Sequence, residues 1–228
     1  MYQYNQGGFF ARMPIVIKNI IIVSTFMLIL TTINREFMLE HFALFFPTSH
    51  FFKPWQVITH MFMHGNFTHL LFNMYALWMF GSVLEQLWGP KKFLLYFFVT
   101  GLGAAALHMG VQWISISSLA HKIAANGPDT MAALNRYRMM VNVPTVGASG
   151  AVYGILLAYG MLFPNNELRI ILTPIALKAK YFVIIFAVSE LILGLVGGGN
   201  VAHFAHLGGM IFGFFLIRRW KKKNRMYY

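Results

Sequence analysis

The stretch Gly147-Ala148-Ser149-Gly150-Ala151-Val152-Tyr153-Gly154 opens an apolar run that continues to Phe163, and a later apolar run carries Ala205-His206-Leu207-Gly208-Gly209. Both runs are long and apolar enough to lie in a bilayer, where an unpaired hydroxyl or imidazole is expensive. Polar groups at such positions have a task. A serine and a histidine on two facing membrane helices are the minimum parts of an activated nucleophile and its base. A third run adds His69 and Asn73, four residues apart and therefore on one helix face. Their side chains can donate to a developing oxyanion.

Working outward, composition agrees with a membrane setting. Of 228 residues, 58% are hydrophobic and only 11% charged, with a mean hydropathy of +0.61. A soluble domain carries about 25% charged residues. The apolar runs are Ile15–Leu30, His60–Leu84, Phe93–Ile116, Thr145–Phe163, Tyr181–Val196 and Val201–Ile217. Spans of about 20 residues in that number use nearly the whole chain, and backbone facing lipid must be helical. The expected fold is all-α: a bundle of six transmembrane helices around a water-accessible cavity. It forms a single domain over residues 1–228, with a core at 60–217, a short N-terminal segment at 1–14 and a basic tail at 218–228.

A net charge of +12 raises nucleic acid as a partner, but no recognition module accompanies it. In membrane proteins Lys and Arg mark the loops that stay in the cytoplasm. With the N-terminus inside, that side holds Arg12, Lys18, Lys91, Lys92, Arg169, Lys178, Lys180 and the basic residues from Arg218 to Arg225. The other side holds Arg35, Lys53, Lys122, Arg136 and Arg138. The expectation is a multi-pass protein of the cell membrane with both termini cytoplasmic, its partners being the lipid bilayer and a transmembrane protein substrate. Cysteine is absent, which excludes disulfides, thiolate metal sites and a cysteine nucleophile. The first apolar run lacks a small-x-small cleavage pattern at its end and reads as an uncleaved span.

In this topology spans two, four and six all enter from the outer face. Ser149 then lies about a turn below that face, and His206 lies about five residues down, roughly 7–8 Å at 1.5 Å per residue. His69 falls near the same level. The glycine pairs Gly150/Gly154 and Gly209/Gly213 are small-xxx-small spacings that let helices approach closely, as a Ser149–His206 contact requires. The sequence around Ser149 is not the G-x-S-x-G elbow of α/β-hydrolases, because Ala151 stands at its last glycine position and no strand precedes it. Gly197-Gly198-Gly199-Asn200 is so short a connection that spans five and six must be antiparallel neighbours.

These residues resemble the rhomboid family of intramembrane serine proteases in its basic six-span bacterial form. The resemblance rests on His69-x-x-x-Asn73 in span two, Gly147-x-Ser149-Gly150 opening span four and Ala205-His206-x-x-Gly209 in span six. It implies a Ser149–His206 dyad without a carboxylate, and an oxyanion site of His69, Asn73 and the Ser149 backbone N–H, shaped by Gly147. It also implies that Tyr153 packs on the catalytic imidazole, with Gly150 and Gly209 in support, and that Glu85 is a structural glutamate. The implied reaction is cleavage of a transmembrane segment near the outer face, with no metal or organic cofactor. The substrate would enter between spans two and five. One departure is Gln56 after Trp55, where many relatives carry an arginine that orders the first outer loop. A rhomboid-like protein that only binds or moves membrane clients is the alternative, although such relatives usually lack the serine or the histidine.

Other polar residues are given structural readings. His60 and His64 could bind zinc, but no H-E-x-x-H glutamate accompanies them. His203 reads as a solvated loop histidine, His108 and His121 as peripheral, and the Phe-rich stretches as membrane anchors. A short helix is expected from Thr130 to Met140. Glu190 in span five is expensive unless it has a partner or a water cavity.

Overall fold

The computed structural model describes residues 13–169, 176–196 and 202–223. The glycine-asparagine connection before Val201 and the outermost parts of both termini lie outside the described residues. Helix α1 (Ile15–Ile33) leads into α2 (Arg35–Phe42), and α3 (Gln56–Thr59) passes into a single 3-10 turn, His60–Phe62. Helix α4 (Phe67–Ala76) continues through a π turn, Leu77–Gly81, into α5 (Ser82–Trp88). Then come α6 (Pro90–Ala124), α7 (Thr130–Val141), α8 (Ser149–Leu162), α9 (Ala179–Val196) and α10 (Ala202–Lys222). Four rods, Ile15–Ile33, Phe67–Trp88, Pro90–Ala124 and Ala179–Val196, are long and apolar enough to cross a bilayer by length and composition. Helix α8 is apolar but has only 14 residues.

Each expected apolar run thus contains a helix, and the chain is a mostly helical, multi-pass membrane protein. Its boundaries differ for physical reasons. The second run does not begin as a membrane helix at His60, because Gly65 and Asn66 break it and the Asn66 side chain caps α4 by accepting from the His69 N–H at 2.8 Å. Helix α6 has 35 residues, about 52 Å at 1.5 Å per residue, against a hydrocarbon layer of about 30 Å. It continues past Ile116 because α7 folds back on it, burying Ile116, Val141 and Phe46 together. Gln112 Nε2 also donates to the Met140 carbonyl at 2.6 Å. The all-α expectation gains one small exception: an antiparallel hairpin of β1 (Glu167–Arg169) and β2 (Ala176–Lys178).

The reading of the Phe-rich loop as a membrane anchor is corrected at two positions. Phe45 and Phe46 are 5% and 3% exposed. Leu44 and Thr145 exchange backbone hydrogen bonds at 2.9 and 2.8 Å, and this bridge draws the segment inward onto the chain that precedes α8.

Helices α6, α8 and α10 form the centre. A Cβ on Gly209 would overlap the Gly150 carbonyl, one on Gly150 would overlap Ala104, and one on Gly213 would overlap the Tyr96 hydroxyl. Only glycine permits this backbone contact. Tyr96, wholly buried, donates to the Gly154 carbonyl at 2.8 Å. Toward the opposite end, Trp88, Tyr96 and Trp220 form an aromatic cluster. There Glu85 caps α1, its two carboxylate oxygens accepting from the backbone N–H groups of Val16 and Ile17 at 2.9 and 3.0 Å. A carboxylate at a helix N-terminus meets unpaired donors and the positive end of the dipole.

Helix α9 is packed differently. Ala179, Val183 and Glu190 are its buried residues, Phe182 packs partly buried on the core and Phe186 lies against the Tyr153 ring, and most of its remaining apolar side chains face outward.

Candidate active site

Ser149 is the first residue of α8, and a loop pinned on several sides sets its position. The Gly147 N–H donates to the His60 carbonyl at 2.9 Å, and Thr145 joins the Leu44 bridge. The Thr145 hydroxyl lies 3.0 Å from His108 Nε2. His108 is buried, so its reading as peripheral is corrected: it holds the loop that carries the serine. Gly147 adopts φ +130°, a conformation that side chains resist. A Cβ there would also stand 3.0 Å from the His69 imidazole. Because Ser149 starts the helix, the first backbone N–H groups of α8 have no carbonyl partner within it and form a donor site for an anion.

The glycine contact between α8 and α10 brings His206 Nε2 to 2.9 Å from Ser149 Oγ. Tyr153, one turn after Ser149, stacks on His206 with ring centroids 4.2 Å apart and planes 2° from parallel. From the other side, the Gly65 N–H donates to His69 Nδ1 at 3.4 Å. With that nitrogen accepting, the ring proton falls on Nε2, the atom facing Gly147. Asn73 is buried one turn further along the same helix face. Ser149, His206, Tyr153, Gly147 and His69 therefore converge, with Asn73 next to them along α4. Gly150 and Gly209 meet directly behind.

A carboxylate stands close to the Ser149–His206 pair. Glu190 reaches in from α9. Its Oε1 accepts from the Tyr153 hydroxyl at 2.5 Å, and its Oε2 lies 2.6 Å from His203 Nδ1. His206 Nδ1 is 3.0 Å from the same oxygen but off the axis of a good hydrogen bond, so that contact is chiefly electrostatic. His203 is no solvated loop residue: it lies in the first turn of α10, half-buried. The sequence held a usable signal, since His203 and His206 are three apart on one helix face and an intramembrane acid needs a partner.

Glu190, His203 and His206 are also the described residues whose donor atoms are close enough to hold a metal ion. Their N–O separations of 2.6 and 3.0 Å are hydrogen-bond distances. Ligands 2.0–2.1 Å from a tetrahedral zinc would stand about 3.3 Å apart. The cluster fits an imidazole–carboxylate network better than a metal centre.

A small, partly open cavity of about 50 Å³ adjoins the serine, bordered by His60, Ala104, His108, Thr145, Ser149 and His206 among others. His60 and His64 lie between α3 and α4, outside the spanning helices. His60 Nδ1 contacts the Gln56 carbonyl at 2.9 Å and His64 Nδ1 the Phe62 carbonyl at 3.3 Å. Burial pushes both down to about 4, so they are neutral at pH 7.

Gln56, the departure noted in the first outer loop, orders that loop itself. It is wholly buried. Its Nε2 donates to the Glu40 and Phe51 carbonyls, each at 2.9 Å, and its Oε1 accepts from the Lys53 N–H at 3.0 Å. Trp55 Nε1 adds a bond to the His41 carbonyl at 2.9 Å.

The chain is similar to known proteins over most of its length. Residues 52–221 match the model of the Rhomboid domain. The chain is 28% identical over 166 residues to Rhomboid protease GluP of Bacillus subtilis, covering 71% of this chain and 25% of that protein. It is 28% identical over 168 residues to Rhomboid protease AarA of Providencia stuartii, covering 70% and 53%. Similarity to RHOMBOID-like protein 12, mitochondrial, of Arabidopsis thaliana is 28% over 181 residues, covering 77% and 49%. The chain thus spans between a quarter and about half the length of these relatives.

Proposed function

Because the chain belongs to the rhomboid family, we propose that it is a serine endopeptidase that cuts transmembrane segments of other membrane proteins near the outer face of the cell membrane. The observation that carries this reading is the 2.9 Å approach of Ser149 Oγ to His206 Nε2 inside an apolar bundle. A hydroxyl is a weak nucleophile until an adjacent base takes its proton.

In this mechanism His206 Nε2 accepts the Ser149 proton as Oγ bonds to the scissile carbonyl carbon. The carbonyl oxygen becomes an oxyanion, met by the Ser149 backbone N–H, His69 Nε2–H and the Asn73 amide. When the intermediate collapses, the C–N bond breaks and the leaving amine takes the proton from His206. Water then enters through the cavity beside Ser149 and gives a proton to His206 as its oxygen bonds to the acyl carbon. The C–Oγ bond breaks, His206 returns the proton to Ser149 Oγ, and the carboxylic acid product leaves. The stacked Tyr153 ring keeps the imidazole in plane throughout. These steps need no metal or organic cofactor.

The substrate class follows from the surroundings. The serine is reached from within a bundle, so the substrate is a segment that itself lies in the membrane and carries small, helix-destabilising residues where it must unwind. Entry between the α4–α5 rod and α9 is supported by the sparse packing of α9. The charge distribution along the sequence supports both termini being cytoplasmic, with the serine toward the outer side.

The test is cleavage of a transmembrane reporter by the protein reconstituted in liposomes. Ser149→Ala and His206→Ala should each abolish cleavage while the variants remain folded. Activity above trace in either one overturns the mechanism and favours a protein that binds membrane clients without cutting them.

A further inference from the structure

We propose that Glu190 is a positioning residue for the catalytic imidazole, so that the reaction centre is complete only when α9 is docked. The proposal rests on the reading of Ser149 and His206 as nucleophile and base. A carboxylate accepts and does not donate, so the His203 Nδ1 contact at 2.6 Å requires an N–H at that nitrogen. His206 Nδ1, 3.0 Å from the same Oε2, is favoured as an N–H for the same electrostatic reason. A proton on His206 Nδ1 leaves Nε2 with its lone pair toward Ser149 Oγ, the tautomer a general base needs. When Nε2 takes the serine proton, the imidazolium forms beside a negative carboxylate. Glu190 keeps its charge and no proton passes to it.

The helix on which the carboxylate stands gives the arrangement its second consequence. Glu190 is the last of the three buried residues of α9, and Ala179 and Val183 lie toward the opposite end. Near the site, the bonds of Glu190 to Tyr153 and His203 tie α9 to α8 and α10. When α9 swings away to admit a substrate, these bonds break and the imidazole loses its orienting charge. When α9 returns, the charge is restored.

Two roles of Glu190 predict opposite signs, which makes the proposal testable. If Glu190 only latches α9, its removal eases substrate entry and raises kcat/KM. If it positions His206, its removal lowers kcat. Loss of the carboxylate behind a catalytic histidine costs up to about 10⁴ in kcat in Ser–His–Asp enzymes, and sharing with His203 and Tyr153 reduces the expected loss here to about 10².

The experiment uses the full chain in detergent and in liposomes, with kcat and KM on a transmembrane reporter. It adds the rate of fluorophosphonate labelling, which needs no substrate entry, and the thermal unfolding midpoint. Glu190→Gln should lower kcat and labelling rate about 10²-fold, leave KM within a few-fold and leave the midpoint within a few degrees. Glu190→Asp should recover part of the rate. Wild-type or faster labelling in a folded Glu190→Gln protein overturns the proposal. Should that variant fail to fold, Tyr153→Phe keeps the stacked ring and deletes only the hydroxyl bond to Oε1. Its labelling should slow several-fold, and an unchanged rate overturns the proposal. Ser149→Ala, run in parallel, separates the two levels. Labelling that survives there defeats the underlying reading. Labelling lost in Ser149→Ala but at wild-type rate in Glu190→Gln defeats the positioning role alone.

Discussion

The α6–α8–α10 trio and helix α9 share one membrane but are built by opposite rules. In the trio, glycines at positions 150, 209 and 213 bring backbone against backbone or against the Tyr96 hydroxyl, and the serine and histidine meet across the tightest of these contacts. Helix α9 presents most of its apolar side chains outward, with Ile184, Ile185 and Ile192 each more than half exposed. Burial from water cannot explain the difference, because lipid is as apolar as either surface. What distinguishes the trio is close dispersion contact and interhelical hydrogen bonding. A bond of catalytic length needs fixed helices, and a path for a substrate helix needs a movable one.

The largest expected effect falls on the tightest contact. Gly209→Val would force α10 away from α8, so the protein should lose activity entirely and unfold at a markedly lower temperature. A stable, active Gly209→Val variant would break the contrast.

Next comes the proposed oxyanion site beside the trio. Removing one transition-state donor typically costs about 10²–10³ in kcat. Asn73→Ala should show that loss in steady-state kinetics, with KM within a few-fold. A pure packing role would instead lower the unfolding midpoint and leave kcat near wild type.

Core and lipid-facing isoleucines give a third comparison, measured by chemical or thermal unfolding. Ile217 is fully buried and Ile185 is 53% exposed. Ile217→Ala should cost about 2–5 kcal/mol, as cavity-forming core changes do, whereas Ile185→Ala should stay within about 0.5 kcal/mol. Equal losses would mean that α9 is as firmly held as the trio.

The pH dependence of stability sharpens the account of the loop before α4. His60 and His64 are pushed down to about 4 by burial, below the ordinary value of 6.5. Below pH 6.5 the unfolded chain binds protons that the folded one refuses. Their contribution is therefore full above pH 6.5, is lost as pH falls from 6.5 toward 4, and changes no further below that. Unfolding midpoints measured from pH 7.5 to 3.5 should follow this course, and His64→Leu should flatten it.

The smallest effect is expected at Gly110. A Cβ there meets nothing within 4 Å, so Gly110→Ala should leave activity unchanged and raise stability by about 0.5–1 kcal/mol through helix propensity alone. A loss there would show that α6 makes a contact beyond those described.

The chain carried much of this in legible form. Apolar run length located the membrane helices, and the spacing of Gly150, Gly154, Gly209 and Gly213 indicated where they pack. Ser149, His206 and His69 were legible as candidates because each is a polar group within an apolar run, and Tyr153 through the resemblance to the rhomboid family. Partners between distant helices were not. Nothing local to Glu190 says that Tyr153 will meet it, and nothing local to Gln56 says that it will bridge the Glu40 and Phe51 carbonyls. The inward turn of Phe45 and Phe46 depended on the Leu44–Thr145 bridge, a pairing of residues about a hundred positions apart in the chain. The length of α6 escaped because the residues past Ile116 are polar enough to suggest a loop until α7 is seen against them.

The central claim is that Ser149 is a nucleophile made reactive by His206. Its most direct measurement is reaction of the purified, folded protein with a fluorophosphonate probe, with the modified residue located by mass spectrometry. The account predicts a single adduct on Ser149, absent in Ser149→Ala and slowed to background in His206→Ala. Labelling that persists in Ser149→Ala, or proceeds at wild-type rate in His206→Ala, would contradict it.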